Sequence, residues 1–213
     1  IYLKVGASRP YFDVNLAVKA GADVIVLDGM QGGTAATQEV FIEHVGIPLL
    51  SAIPPAVKAL QDLGMHRKVQ LIVSGGIRTG ADVAKALALG ADAVAVGTAA
   101  LVALGDNDPK WEKEYEKLGS RAGCYDDWHE GKDPAGITTQ TPELTQRLDP
   151  VAAGRRLANY LKVLTLEAQT LARACGKNHL HNLEPEDLVA LTLQAAAMAR
   201  VPLAGTSWVP GAR

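Results

Sequence analysis

Cysteine is nearly absent. The 213 residues hold two, Cys124 and Cys175, without metal spacing and too few for a disulfide framework. A disulfide-stapled secreted scaffold is excluded, and a reducing compartment is expected. No apolar run reaches the roughly 20 residues of a membrane span, and no signal-peptide pattern is visible. The expectation is a cytoplasmic chain without membrane contact. An excess of one charge is lacking too: the formal net charge is −2, so no nucleic-acid partner is implied. Aromatic residues make up only 5%, whereas alanine and glycine are abundant, as tight packing of helices on a sheet allows. An initiator methionine is also missing, since the sequence opens at Ile1 within a strand pattern.

The richest stretch is residues 69–98, VQLIVSGGIRTGADVAKALALGADAVAVGT. An apolar run over 69–73 ends in Ser74-Gly75-Gly76, a helical stretch follows, and a second run over 93–96 ends in Gly97-Thr98. The pattern reads as strand, glycine turn, helix, parallel strand, glycine turn. Parallel strands joined by a helix bring both turns to the carboxyl edge of the sheet. Backbone amides there approach a ligand closely, and paired glycine turns on neighbouring strands are how a (β/α)8 barrel holds phosphate. Ordinary βα turns also use glycine, so the doubling is what favours phosphate.

A repeat points to the same architecture. Asp13-Val14 and Gly21-Ala22-Asp23-Val24 recur 69 residues on as Asp82-Val83 and Gly90-Ala91-Asp92-Ala93. Each copy is a helix feeding a short strand, VIVLDG or AVAVGT, that ends in glycine. Alternating units of this kind, with all-apolar strands, predict a parallel sheet covered on both faces. Only four strands are countable, whereas a full barrel takes about 250 residues. The fold expected is therefore a half-barrel of the (β/α)8 type plus a helical extension, as part of something larger or completed by another polypeptide.

Residues 1–5 read as a buried strand whose one charge, Lys4, faces a ligand beside Gly6. The strand over 24–27 leads into Asp28-Gly29-Met30-Gln31-Gly32-Gly33-Thr34, a loop glycine-rich enough to close over a planar ring. Pro55 suits the first turn of a helix that runs to Leu63. Residues 106–150 change character, with Asp126, Asp127, His129, Glu130 and Asp133 in a charged stretch that reads as acidic surface more readily than as a metal site. Pro150 opens a long amphipathic helix to Ala174, with Leu157, Leu161, Leu164, Ala168 and Leu171 on one stripe. A last helix is expected from Glu184 to Arg200. The divisions are thus 1–105, barrel elements; 106–150, a loop segment; and 151–213, the extension and tail.

Taken together, Lys4, the Gly29–Thr34 loop, Ser74-Gly75-Gly76-Ile77-Arg78-Thr79-Gly80, Gly97-Thr98 and Asp133-Pro134-Ala135-Gly136-Ile137-Thr138-Thr139-Gln140 resemble the FMN-binding synthase domain of the glutamate synthase family. The segment from Gly154 to Leu188 resembles the subfamily serving as the C subunit of N-methylglutamate synthase. The resemblance implies FMN held by Lys4, Asp28, Gly29, Gly32, Gly33, Thr34, Ser74, Gly75, Gly76, Arg78, Gly97 and Thr98. It gives Lys4 and Gln31 catalytic parts in reducing an imine of 2-oxoglutarate. Glutamate and an amine are the other implied substrates, and amidotransferase-like and glutamate-synthase-like subunits the partners of a hetero-oligomer. The family holds an iron-sulfur cluster by cysteines spaced C-x5-C-H-x4-C-P. Ala122, Trp128 and Asp133 stand at those places here, with His129 and Pro134 kept, so no cluster is expected. Glutamate synthase proper, another FMN oxidoreductase, or a non-catalytic assembly subunit remain the alternatives.

Overall fold

The computed structural model describes residues 1–29 and 38–211. It comprises two compact units, one from the described residues of 1–32, 44–96 and 164–213, the other from those of 33–43 and 97–163. The first is an α/β unit. Strands β1 (Tyr2–Gly6), β2 (Val24–Asp28), β3 (Gln70–Ser74) and β4 (Ala93–Ala95) form one sheet in chain order, every neighbouring pair parallel. Helix α1 (Pro10–Lys19) links β1 to β2. Helices α2 (Glu39–His44) and α3 (Leu49–Asp62) precede β3, and α4 (Gly80–Ala88) precedes β4. Along the chain follow α5 (Thr98–Leu104), α6 (Glu112–Lys117), α7 (Pro142–Thr145), α8 (Pro150–Ala174) and α9 (Leu193–Ala199).

Four parallel strands in sequential order are half of a (β/α)8 barrel. Right-handed crossovers between sequential strands put every linking helix on one face of the sheet. Burial agrees: Ile25, Leu27, Leu71 and Val73 are fully buried, whereas Val26, Asp28, Ile72 and Ser74, pointing to the other face, are half-buried. The linking helices thus cover one face, and the other is half-buried among the described residues. The expectation of a buried first strand is corrected. β1 is the edge of the sheet, and Tyr2 is 75% exposed.

The internal repeat has a physical explanation. At the end of α1 the Gly21 amide donates to Val18 and that of Ala22 to Ala17; at the end of α4, Gly90 donates to Leu87 and Ala91 to Ala86. Both glycines sit at positive φ, so each Gly-Ala-Asp is a Schellman turn closing one helix and aiming the chain into a strand. The aspartates that open the repeat act alike, Asp13 accepting the Arg9 amide and Asp82 that of Thr79.

Helix α3 begins six residues earlier than Pro55 suggests, and Pro54 and Pro55 lie inside it. Its buried stripe of Leu49, Ala52, Ile53, Ala56, Val57 and Leu60 runs through the proline pair, and this packing outweighs the lost backbone bonds. The long helix α8 keeps its expected limits, yet Leu161 and Leu171 are exposed and Ala172 is buried instead. The stripe on its first-unit part is Leu164, Ala168 and Ala172, while on α4 Gly80, Ala84 and Ala88 are buried at the same four-residue spacing. The last helix is shorter than expected. Pro185–Asp187 is a single 3₁₀ turn, and Ala190 then pairs with the tail through Pro202 and Ala204 before α9 starts at Leu193.

Candidate functional site

The face of the sheet opposite the linking helices carries Lys4, Asp28 and Ser74 toward its carboxyl edge. Lys4 and Asp28 project to this face from adjacent strands, and the Lys4 ammonium lies 2.6 Å from the Asp28 carboxylate. Lys4 remains 63% exposed along its side chain while Asp28 is 21% exposed, so the pair presents a cation above an anchored carboxylate. Asp28 stands beside Ser74 in the ladder, and the Gly29 amide donates to the Ser74 carbonyl at 2.7 Å.

Backbone crowding explains two glycines here. A Cβ on Gly29 would lie 2.6 Å from the amide nitrogen of Leu49, at the start of α3. One on Gly75, which has φ +117°, would lie 2.9 Å from the Gly29 carbonyl oxygen. Gly76 also has positive φ and is exposed. Among the described residues the amides of Gly75, Gly76 and Ile77 donate to no protein acceptor. Those just beyond are committed: Arg78 and Thr79 donate to the Asp82 carboxylate at 3.0 Å each, and Gly80 to Glu167 of α8 at 2.9 Å. The turn thus divides into an open half, with two positive-φ glycines in succession, and a half pinned by carboxylates. Successive amides in such a turn form an anion-binding concavity. Gln31, Gly32, Gly33 and Thr34, like Met30, lie outside the described residues.

In the second unit, Gly97 is the residue before α5 and Thr98 its first, both exposed. This unit is organised around buried polar groups that sequence reading missed. Asp106 is 2% exposed and accepts from the Trp128 indole at 3.0 Å and from the Asn107 side chain at 2.9 Å. The Asn107 oxygen in turn takes the amides of Gly123 and Tyr125. Asp133, fully buried, accepts the amides of Ala135, Ile137 and Thr138. Burial first, and then the charge of Asp133, pushes the Asp106 carboxyl above its ordinary range, and its Oδ1 has no partner among the described residues. The same two causes push the Tyr125 hydroxyl up to about 12.

At the positions that the resemblance aligns with cysteines, the Ala122 amide donates to Glu112, the Trp128 indole donates to Asp106, and Asp133 caps its own loop. Among the described residues no group of three or more His, Cys, Asp or Glu side chains is placed to hold a metal ion. His179 and His181, in the first unit, stack on one another, and His181 bonds the Asp92 carbonyl.

A family described as "Conserved region in glutamate synthase" matches residues 1–178. The chain belongs to the glutamate synthase family. A glutamate synthase large subunit-like protein of Rhizobium meliloti is 83% identical over 99% of this chain, which spans 48% of that protein. An archaeal glutamate synthase [NADPH] of Methanocaldococcus jannaschii is 42% identical over 86% of the chain, which spans 33% of it. The chain thus spans about half the length, or less, of these curated relatives. Among solved structures, flavocytochrome b2 variants match with TM-scores of 0.52 (sulfite bound) and 0.53 (with benzoylformate), each over 86% of this chain. The chain spans 34% and 33% of theirs at 17% and 19% identity, a likeness of fold. In this member of the glutamate synthase family no described helix is long and apolar enough to cross a membrane.

Proposed function

We propose that this chain is the FMN-binding part of a glutamate-synthase-type enzyme that forms N-methylglutamate from 2-oxoglutarate and methylamine. The observation carrying the cofactor assignment is the turn after β3. Gly75 and Gly76 offer successive amides from backbone that tolerates no side chain at Gly75, and Ser74 joins them at the strand end. A phosphate fits such a concavity. FMN, when bound, supplies the hydride chemistry.

The chain's own residues bind and orient. Ser74, Gly75 and Gly76 hold the phosphate; Gly97, Thr98 and Arg78 keep the cofactor roles that the resemblance assigns. Lys4 presents its charge to the flavin or to the oxo-acid carboxylate, and Asp28 holds it in place. Gly29, packed under Leu49, shapes the entry to the loop in which the proposal seats Gly32, Gly33 and Thr34 beside the cofactor and Gln31 beside the substrate. The reaction proposed is balanced without an outside donor. Glutamate gives up a hydride equivalent and leaves as 2-oxoglutarate and ammonia; the imine of 2-oxoglutarate with methylamine then takes that equivalent back. The non-cysteine residues at 122, 128 and 133 support such a cycle, since the relay that the resemblance implies runs through a cluster held by cysteines at those places. Amidotransferase-like and glutamate-synthase-like subunits complete a cytoplasmic hetero-oligomer in this reading.

A second reading is glutamate synthase proper with electrons from NADPH, favoured by the NADPH that names the Methanocaldococcus jannaschii relative. The test uses the complete enzyme under anaerobic conditions. Glutamate should bleach the flavin, 2-oxoglutarate with methylamine should restore it, and iron and acid-labile sulfide should be absent from this subunit. Bleaching by NADPH alone, with ammonia preferred to methylamine, would establish the second reading. A complete enzyme in which this subunit carries no flavin would make it an assembly subunit.

A further inference from the structure

We infer that Glu167, on α8, is a positioning residue for the phosphate turn, coupling the helical extension to cofactor retention. The inference rests on the FMN reading above. Its basis is the way the first turn of α4 is satisfied. An α-helix begins with unpaired amides and a partial positive charge, which together attract anions. Here that attraction is already met from within the protein. Asp82 takes the amides of Arg78 and Thr79, Thr79 takes that of Asp82, and Glu167 takes that of Gly80 from 87 residues away. The amides preceding them in the turn, those of Gly75, Gly76 and Ile77, have no acceptor among the described residues.

Glu167 reaches Gly80 only because the helices touch closely. A Cβ on Gly80 would run into the Leu164 carbonyl, the Ala168 amide and the Glu167 side chain. Farther along, Ala84 and Ala88 share a buried cluster with Ala172 and Leu183. The contact fixes the downstream end of a five-residue turn, 75–79, whose upstream end is tied into the sheet at Ser74. Two consequences follow. The turn is held with its free amides outward, and an incoming phosphate is directed to Gly75 and Gly76, because carboxylates occupy the seat at the helix end.

The test compares Glu167→Ala, Glu167→Gln and Leu183→Ala in the complete holoenzyme and its flavin-free form. Leu183→Ala loosens the same α4–α8 cluster without touching the Gly80 amide. Two readouts are taken: the FMN dissociation constant from flavin fluorescence quenching, and hydrogen exchange of peptides covering residues 74–83 in the flavin-free protein. Glu167→Ala should raise the dissociation constant about tenfold, equivalent to about 1.4 kcal/mol, and speed exchange in that peptide. Glu167→Gln keeps an accepting oxygen and should restore binding to within about twofold of wild type. Leu183→Ala should lower the melting temperature and leave binding within the same twofold. If Glu167→Ala binds FMN as wild type does, or if Leu183→Ala weakens binding equally at matched melting temperature, Glu167 is merely structural and the inference falls. If wild type itself takes up no FMN, the cofactor reading falls and takes this inference with it.

Discussion

At the scale of single residues, Lys4 and Gly76 carry the proposal's sharpest consequences. The Lys4–Asp28 pair is largely solvent-exposed on the lysine side, and exposed pairs contribute at most about 1 kcal/mol to stability. Lys4→Met keeps the stem and removes the charge, so folding should change little. If Lys4 stabilises charge that grows as the oxo-acid or flavin is reduced, turnover should fall on the order of 10²-fold, by analogy with loss of one oxyanion donor. FMN should stay bound, because the phosphate turn lies after β3. Stopped-flow flavin bleaching and recovery in the complete enzyme reads both, and wild-type rates in Lys4→Met would show a lysine that only reaches for solvent. Gly76 needs a paired design, because its φ of +71° penalises any side chain. Asn tolerates that backbone region better than most residues and matches Asp in shape. Gly76→Asn should therefore retain flavin that Gly76→Asp loses, since a carboxylate beside a partly desolvated phosphate is repelled. Equal flavin content in the two variants would refute a phosphate at this turn.

At the scale of elements, local preference and tertiary contact oppose each other at Gly80. Glycine in a helix interior is about 1 kcal/mol worse than alanine, and at Gly80, the first residue of α4, propensity alone still favours alanine, by less. The contact with α8 reverses the sign. The new methyl group would meet the backbone of Leu164 and Ala168, and overpacking of this kind costs about 1–3 kcal/mol. Chemical denaturation should show Gly80→Ala destabilised, and a stabilised variant would mean that α4 and α8 are not in this contact. The same opposition explains α3. Pro54 and Pro55 announce a helix start, but the apolar stripe running back to Leu49 extends the helix past them. Sequence alone could not weigh that stripe, because its worth depends on the sheet beneath it.

At the scale of the whole molecule, the second unit is held by a buried polar network around Asp106, Asn107 and Asp133. Asp106 gives that network a pH dependence of definite sign. Its carboxyl pKa is raised in the folded state, burial being the main cause. As pH rises, the unfolded chain therefore ionises Asp106 first. Stability is lost between the ordinary aspartate range and the raised folded value, and stays lost above it. Asp106→Asn removes the charge, and its oxygen can still accept from Trp128 and Asn107. Its melting temperature should equal or exceed that of wild type at pH 8, and the difference should shrink toward pH 4.5. A variant equally destabilised at both values would mean that the folded state uses the Asp106 charge.

What the sequence determined by itself was local or periodic. The four strands, the limits of α8 and the doubled Gly-Ala-Asp turn all follow from patterns within a few residues. The resemblance to the glutamate synthase family was legible too, because its motifs are contiguous. Tertiary structure decided which face of the sheet is covered, since burial depends on the direction in which successive crossovers wind. It also brought Glu167 to Gly80, and joined Asp106 to Trp128 and Asn107 to Tyr125. Such partners are separated by up to 87 residues and bear no mark of each other in the sequence. A carboxylate bonded to a distant amide reads, along the chain, as one more solvent-facing charge on a helix.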